Sequence, residues 1–242
     1  MKRLTLTLLG LLSLNQVASA ANNIDQINTL TQPLFKALVE DLGTAVTYRA
    51  LTPAEPLGIT GFDLGFEVTS TEMVNSSKWV GAISSGNELD NLVLPKIHLV
   101  KGLPFGINVG AFYVGSSNSN VKLTGGEISY AILKGGVASP ALSVRGAMST
   151  LSGVDELELD TQTYELSISK GFAMFTPYAG IGKVKISGSA KGASAGLFSD
   201  EDISATKTFV GLNMNFGLLN IVLDTDKTGD ATTNSFKMGW RW

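Results

Sequence analysis

From Gly61 to the end of the chain, apolar and polar residues alternate in short segments that return about ten times. In the segment FDLGFEV most second residues are apolar, and Asp63 and Glu67 lie between them. Side chains of a β-strand point to opposite faces in turn, so each segment predicts a strand with one apolar face. Residues typical of turns separate the segments. Residues 61–242 are therefore predicted to form about ten antiparallel strands.

What covers the apolar face decides which all-β fold is formed. Strands of a soluble sandwich also alternate, but here the opposite face is rich in Gly, Ser and charge and offers no second apolar layer. The mean hydropathy is +0.20, although no apolar run reaches the roughly 20 residues of a membrane helix. In lipid an open sheet edge would leave backbone groups unpaired, so the strands must close. We predict a closed antiparallel up-and-down transmembrane β-barrel, with a soluble sandwich or barrel as the alternative.

The first residues are typical of a secretory signal peptide. Lys2 and Arg3 precede an apolar run, and Ala18-Ser19-Ala20 forms a small-residue cleavage site. We expect residues 1–20 to be removed and the mature chain to leave the cytoplasm. The sequence contains no cysteine, so neither a disulfide framework nor thiolate chemistry is available.

Residues 21–60 show a different periodicity. Apolar residues between Ile24 and Leu42 recur every three or four positions, which predicts an amphipathic helix. Pro33 is expected to kink or split it, and Gly43 to end it. The helix could be a plug inside the barrel or a periplasmic partner helix, or it could lie across the barrel mouth. Apolar stripes usually mean packing, which favours the last interpretation.

The chain ends with apolar residues at every second position, namely Phe236, Met238, Trp240 and Trp242. Together with the signal peptide and the repeated strands, this ending resembles bacterial outer-membrane β-barrel proteins. In that class an aromatic last residue, preceded by alternating apolar residues, is the signal read by the barrel-assembly machinery. The class more often ends in Phe than in Trp. The resemblance implies an outer-membrane location and contact with outer-membrane lipid and lipopolysaccharide.

Two kinds of connection alternate along the predicted barrel. Compact turns are predicted at KGLPFG, LKGGVASP, KGFAMFTP and NFGLLN, and mostly longer polar loops at SSNSN, SGVDELELD, SAKGASAGLFSDEDISA and DTDKTGDATT. This asymmetry is typical of a periplasmic rim with short turns and an extracellular rim with longer loops. With an even number of strands, both ends of the barrel are expected at the periplasmic rim.

Residues opposite the apolar face are predicted to line the lumen, and they carry both signs of charge. They are Asp63, Glu67, Lys96, His98, Glu127, Arg145, Glu165, Lys183, Lys185, Lys207, Asp224, Lys237 and Arg241. Buried charges need partners, so we expect a salt-bridged interior rather than a substrate path. Side chains fill barrels of about eight strands, so a general diffusion porin is not expected.

Motifs for catalysis, metal binding or nucleotide binding are lacking. His98 is the only histidine, and no nucleophile follows it at a catalytic spacing. In DTDKTGD the residue at the place of a calcium loop's closing Glu is Ser235, so no metal site is expected. No basic stripe indicates nucleic-acid binding. We expect a non-enzymatic protein without a cofactor, which transports a small or apolar molecule along a narrow path or has a structural envelope role. The alternatives are a hydrolase-type enzyme using His98 and a surface adhesin.

Overall fold

The computed structural model describes residues 24, 26–83, 88–115, 122–136 and 138–242. The predicted signal peptide, residues 1–20, lies outside the described residues.

Ten antiparallel strands form a closed barrel, in which each strand pairs with its sequence neighbours and β1 pairs with β10. The strands are β1 Phe62–Glu72, β2 Asn91–Gly102, β3 Ile107–Gly115, β4 Lys122–Lys134, β5 Ala141–Ser152, β6 Leu157–Ser169, β7 Phe175–Ala190, β8 Glu201–Phe216, β9 Leu219–Thr228 and β10 Ala231–Arg241. The predicted fold class and the strand number are confirmed.

The barrel has two rims, which we name by their connections. The short-turn rim carries the connections 103–106, 135–140, 170–174 and 217–218, together with the ends of the sheet at Phe62 and Trp242. Phe62 and Trp242 exchange two backbone hydrogen bonds of 2.8 and 3.0 Å and close the seam there. The long-loop rim carries the long connections 73–90 and 191–200. It also carries 153–156 and 229–230, which are short turns where SGVDELELD and DTDKTGDATT were predicted to form longer loops.

A band of apolar side chains faces outward around the barrel. Phe66, Ile97 and Tyr113 are 53%, 58% and 51% exposed, and Trp240 is 58% exposed. Most of the charged residues between such positions are buried inside, as Asp63 and Glu67 are. Exposing an apolar band of this kind to water is unfavourable, whereas contact with lipid is not, and such a band is typical of membrane β-barrels.

The outward faces of β6, β7 and β8 become polar toward the long-loop rim. On β7, Lys183 and Lys185 follow the exposed Ile181 and point outward, whereas Val184 and Ile186 point into the lumen and are fully buried. The prediction that both lysines line the lumen is therefore wrong. The inner face is apolar at this height because it packs against the N-terminal helix.

Two α-helices occur in the described chain, α1 Gln32–Val46 and α2 Ser76–Trp79, the second within the connection between β1 and β2. Short 3₁₀ turns cover Ile27–Thr29, Val80–Ala82, Pro104–Gly106 and Gly192–Ser194. None of the helices among the described residues has the length and apolar character needed to cross a membrane.

Helix α1 lies inside the lumen, whereas the favoured interpretation placed it across the barrel mouth, and it differs from the sequence prediction in two further details. Pro33 lies in the first turn, where backbone N–H groups make no hydrogen bond within the helix. Its lack of an N–H therefore costs no hydrogen bond, and the helix is neither kinked nor split. Gly43 does not end the helix but lies inside it, facing Ile186 of β7 so closely that a Cβ would overlap the isoleucine. The glycine is explained by this close approach to the wall.

Helix α1 plugs the half of the barrel next to the long-loop rim. Its first residue, Gln32, donates to Ser199 O and Glu201 Oε1 at that rim, and the carbonyl of its last residue, Val46, accepts from Ser149 inside the lumen. Phe35 and Leu38 are fully buried in an apolar cluster between α1, α2 and the inner wall. Burying each such side chain contributes about 1.5–3 kcal/mol.

Candidate functional site

Below α1, on the side of the short-turn rim, the inner wall changes from apolar to charged. The acidic residues of this charged layer are Asp63, Glu67, Glu127, Glu165, Asp224 and Asp226, and the basic ones are Arg49, Lys96, Arg145, Lys207, Lys237 and Arg241. Within the described chain these formal charges cancel. Most of these side chains are buried, so each charge needs a partner at close range.

Arg145 is the centre of one ion-paired cluster. Its Nε lies 2.7 Å from Glu127 Oε2, and its Nη1 lies 2.8 Å from Glu165 Oε2. The other carboxylate oxygen of Glu165 accepts from Lys207 Nζ at 2.8 Å. The cluster also binds the N-terminal segment, because Arg145 Nη2 donates to Thr52 Oγ1 at 3.2 Å. The structure thus brings together four predicted lumen residues, three on the neighbouring strands β4, β5 and β6 and Lys207 on β8.

A second cluster bridges the seam between β1 and β10. Asp63 Oδ2 lies 2.9 Å from Lys237 Nζ and 3.0 Å from Arg241 Nη1. Asp63 and Arg241 are register partners across the strands that close the barrel, and Lys237 lies four positions before Arg241 on β10, opposite Glu67. The cluster therefore holds the seam closed.

His98 lies between two partners in the charged layer. Its Nδ1 is 2.7 Å from Glu67 Oε1 and its Nε2 is 2.7 Å from the Tyr48 hydroxyl. A neutral ring that donates from Nδ1 and accepts at Nε2 satisfies both contacts. Lys96, the register partner of Glu67, lies with Nζ 5.0 Å from the centre of the Phe112 ring. Sequence analysis placed His98, Glu67 and Lys96 in the lumen but missed Tyr48.

The sequence prediction also missed Arg49, which is almost fully buried. Its Nε lies 2.6 Å from Asp226 Oδ2, and its Nη2 donates to Thr233 Oγ1 at 2.6 Å. The other N–H groups donate to the carbonyls of Thr44 and Ala45 in the last turn of α1. A cation just after a helix is favourable at its C-terminal dipole, and this was the available signal.

The acidic residues of DTDKTGD do not form a common site. Asp224 accepts from the Tyr178 hydroxyl at 2.8 Å, Asp226 pairs with Arg49, and Asp230 lies in the turn between β9 and β10. No group of three or more His, Cys, Asp or Glu side chains suited to a metal ion occurs in the described ranges.

The charged layer encloses a cavity of about 10 Å³ between the 49–52 segment and the wall, near Arg145, Tyr178 and Lys207. This volume corresponds to about one water molecule. A cleft of about 610 Å³ lies on the outside of the barrel at the long-loop rim, near Glu72 and Asn234. The lumen is therefore nearly filled around Arg49, Arg145 and Lys207.

The last strand turns its predicted assembly residues outward, away from the lumen. Phe236, Met238 and Trp240 alternate on the outer face of β10, and the ring of Trp242 stacks at a tilt on Phe62, with ring centroids 4.7 Å apart. The structure combines an even number of antiparallel strands, an outward apolar band and a charged lumen. The architecture is that of a bacterial outer-membrane β-barrel.

Comparison with solved structures finds proteins of the same broad architecture. OmpTdeltaL8, a loop-deletion mutant of an outer membrane protein of Vibrio cholerae, is 12% identical over 62% of this chain, with a TM-score of 0.32; the chain spans 54% of its length. The KdgM porin, in complex with disordered oligogalacturonate, is 8% identical over 76% of this chain and 99% of its own, with a TM-score of 0.36. Neisserial surface protein A is 8% identical over 75% and 94%, with a TM-score of 0.32.

No protein-family model and no curated protein sequence matches the chain.

Proposed function

We propose that this protein is a non-enzymatic structural barrel of the outer membrane whose lumen is closed by its own N-terminal segment. The observation that supports this role is the series of contacts between segment 46–57 and the wall. Tyr48 O accepts from Lys207, Thr52 Oγ1 accepts from Arg145, and Ala54 N donates to Ser169 Oγ. Near the short-turn rim, Leu57 N donates to Asn108 Oδ1 at 3.0 Å.

These contacts favour a structural role over narrow transport of a small or apolar molecule. A path through the lumen would require the segment to leave, and the buried ion pair that it shares with the wall, Arg49–Asp226, would lose a partner. Breaking a buried pair on one side costs about 3–5 kcal/mol. Arg49 alone holds Asp226, Thr233 and the end of α1.

Single-channel recording in planar lipid bilayers tests the closed lumen. The purified full-length protein is expected to insert without conductance steps, and a variant lacking residues 24–57 is expected to conduct. Heat-modifiable migration on a gel confirms that each protein is folded. Reproducible conductance steps from the folded full-length protein would overturn the proposal, whatever the deletion variant does.

The hydrolase alternative depends on the Tyr48–His98–Glu67 chain. A histidine oriented by a carboxylate is a known device for activating a hydroxyl. Tyr48 and His98 are nearly fully buried, however, so no substrate reaches either side chain while the N-terminal segment is in place. We therefore assign a structural role to the hydrogen bonds between Tyr48, His98 and Glu67, which hold the N-terminal segment against β1 and β2.

Three expectations from the sequence remain predictions. They are contact with lipopolysaccharide, removal of residues 1–20, and folding by the barrel-assembly machinery through Phe236, Met238, Trp240 and Trp242. They fit an outer-membrane barrel whose apolar belt faces lipid. The adhesin alternative depends on partners of the long-loop rim.

A further inference from the structure

The N-terminal segment crosses the barrel in addition to the ten strands. Its contacts follow the wall from one rim to the other. They begin at Ser149, in the half of β5 next to the long-loop rim, continue with Lys207 and Arg145, and end at Ser169, where β6 reaches the short-turn rim. The chain then reaches the short-turn rim, where Gly102 N donates to Gly61 O at 3.1 Å. About ten residues of extended chain cover the height of a transmembrane strand, and residues 47–61 suffice for this crossing.

The start of the described chain consequently lies at the opposite rim from the ends of the sheet. Ile24 pairs with Ile83 through a β-bridge, and Gln26 N donates to Ala82 O at 3.4 Å. Both partners belong to the connection between β1 and β2. Gln32 contacts the connection between β7 and β8 through Ser199. Two separate connections of the long-loop rim therefore hold this segment.

We infer that the chain ahead of α1, residues 24–31, lies on the extracellular side of the outer membrane, so that the protein presents the start of its N-terminal segment at the cell surface. The longer, polar connections of bacterial barrels face the outside and the short turns face the periplasm. Since the segment is packed between the longer connections, it shares their side. The proposal of a closed lumen does not imply this topology, because a segment could enter and fill the lumen from either rim.

Labelling of single cysteines with a membrane-impermeant maleimide tests this topology, because the natural chain contains no cysteine. The reporters are Asn28→Cys and Thr31→Cys, both at exposed positions before α1. The matched controls are Leu197→Cys at the long-loop rim and Ser139→Cys at the short-turn rim, also at exposed positions. Gel migration before and after heating shows that each variant is folded.

We expect both reporters to label in intact cells to the extent of Leu197→Cys, and Ser139→Cys to label only after permeabilisation. Reporters that behave like Ser139→Cys would overturn the inference. So would reporters that react only after unfolding, since they would then be covered, or an inverted pattern in all four variants. If bilayer recordings remain silent in these cases, the closed lumen stands while surface presentation fails.

Discussion

Arg49 of the N-terminal segment and Asp226 of β9 form an ion pair inside the lumen, 2.6 Å long, with side chains 1% and 0% exposed. The same guanidinium donates to the carbonyls of Thr44 and Ala45 and so satisfies the end of α1. It also donates to Thr233 on the neighbouring strand β10. One side chain thus ends the helix and fastens it to two strands of the wall.

Replacing Arg49 with Met is expected to lower the free energy of unfolding by about 3–5 kcal/mol, because Asp226 is left as an unpaired buried charge. The double variant Arg49→Met/Asp226→Leu should regain part of this loss, since neither charge remains. Urea unfolding in lipid vesicles, followed by tryptophan fluorescence, measures both. Lys185→Met is the control, because this lysine points outward and should change stability by less than about 0.5 kcal/mol. Equal stability of Arg49→Met and Lys185→Met would contradict the assigned anchor.

The close approach of Gly43 to Ile186 gives a second test of the plug. Gly43→Ala is expected to lower the free energy of unfolding by about 1–3 kcal/mol, because its methyl would overlap the side chain of Ile186 and force α1 from the wall. Adding Ile186→Ala removes all three atoms that the new methyl would meet. The double variant should therefore be more stable than the sum of the single effects predicts. Strict additivity of the two changes would show that α1 does not lie on β7.

Much of the barrel was predictable from the sequence because lipid and lumen impose opposite polarity on alternate residues. Where the inner face is charged, this parity placed Asp63, Glu127 and Arg145 correctly. Closure followed from the need to pair every strand edge in lipid. Which buried charges pair with which did not follow, since strand register is not contained in the alternation.

The parity argument fails where the inner face is apolar. Val184 and Ile186 alternate with Lys183 and Lys185, and the pattern shows two faces without showing which is inside. Only the presence of α1 in the lumen reverses the assignment. The segment after α1 has no periodicity. The position of Arg49 just after the helix could have indicated its role there, but its partner Asp226 lies 177 positions away and could not be found from local sequence.

Asp41 connects α1 to the connection between β1 and β2 and makes this contact pH-dependent. Its carboxylate accepts from Asn75 N at 2.8 Å, Asn75 Nδ2 at 3.0 Å and Trp79 Nε1 at 2.9 Å. Burial nevertheless raises the pKa of Asp41 above its usual 3.8, against the opposing effect of these donors. A raised pKa means that the contribution to stability is present at low pH and is lost as pH rises through the raised pKa.

As pH rises from about 4 to about 7, the free energy of unfolding of the wild type is therefore expected to fall relative to that of Asp41→Asn. Asparagine keeps the size of the side chain and removes its titration. Urea titrations at several pH values measure this difference, in which pH effects common to both proteins cancel. A difference that is constant, or that moves toward the wild type with rising pH, would contradict the assigned environment of Asp41.

The outward face of Ile97 tests whether lipid touches the apolar band. Ile97 lies near the middle of β2, between Phe66 and Tyr113 on the neighbouring strands, and is 58% exposed. Ile97→Arg is expected to lower the free energy of unfolding in lipid vesicles by about 2–4 kcal/mol, because the arginine would lie in hydrocarbon. The matched control is Thr206→Arg, which points outward in the polar part of β8 and should cost about 0–1 kcal/mol. If the two arginines have equal effects, water and not lipid touches the band, and the membrane assignment is wrong.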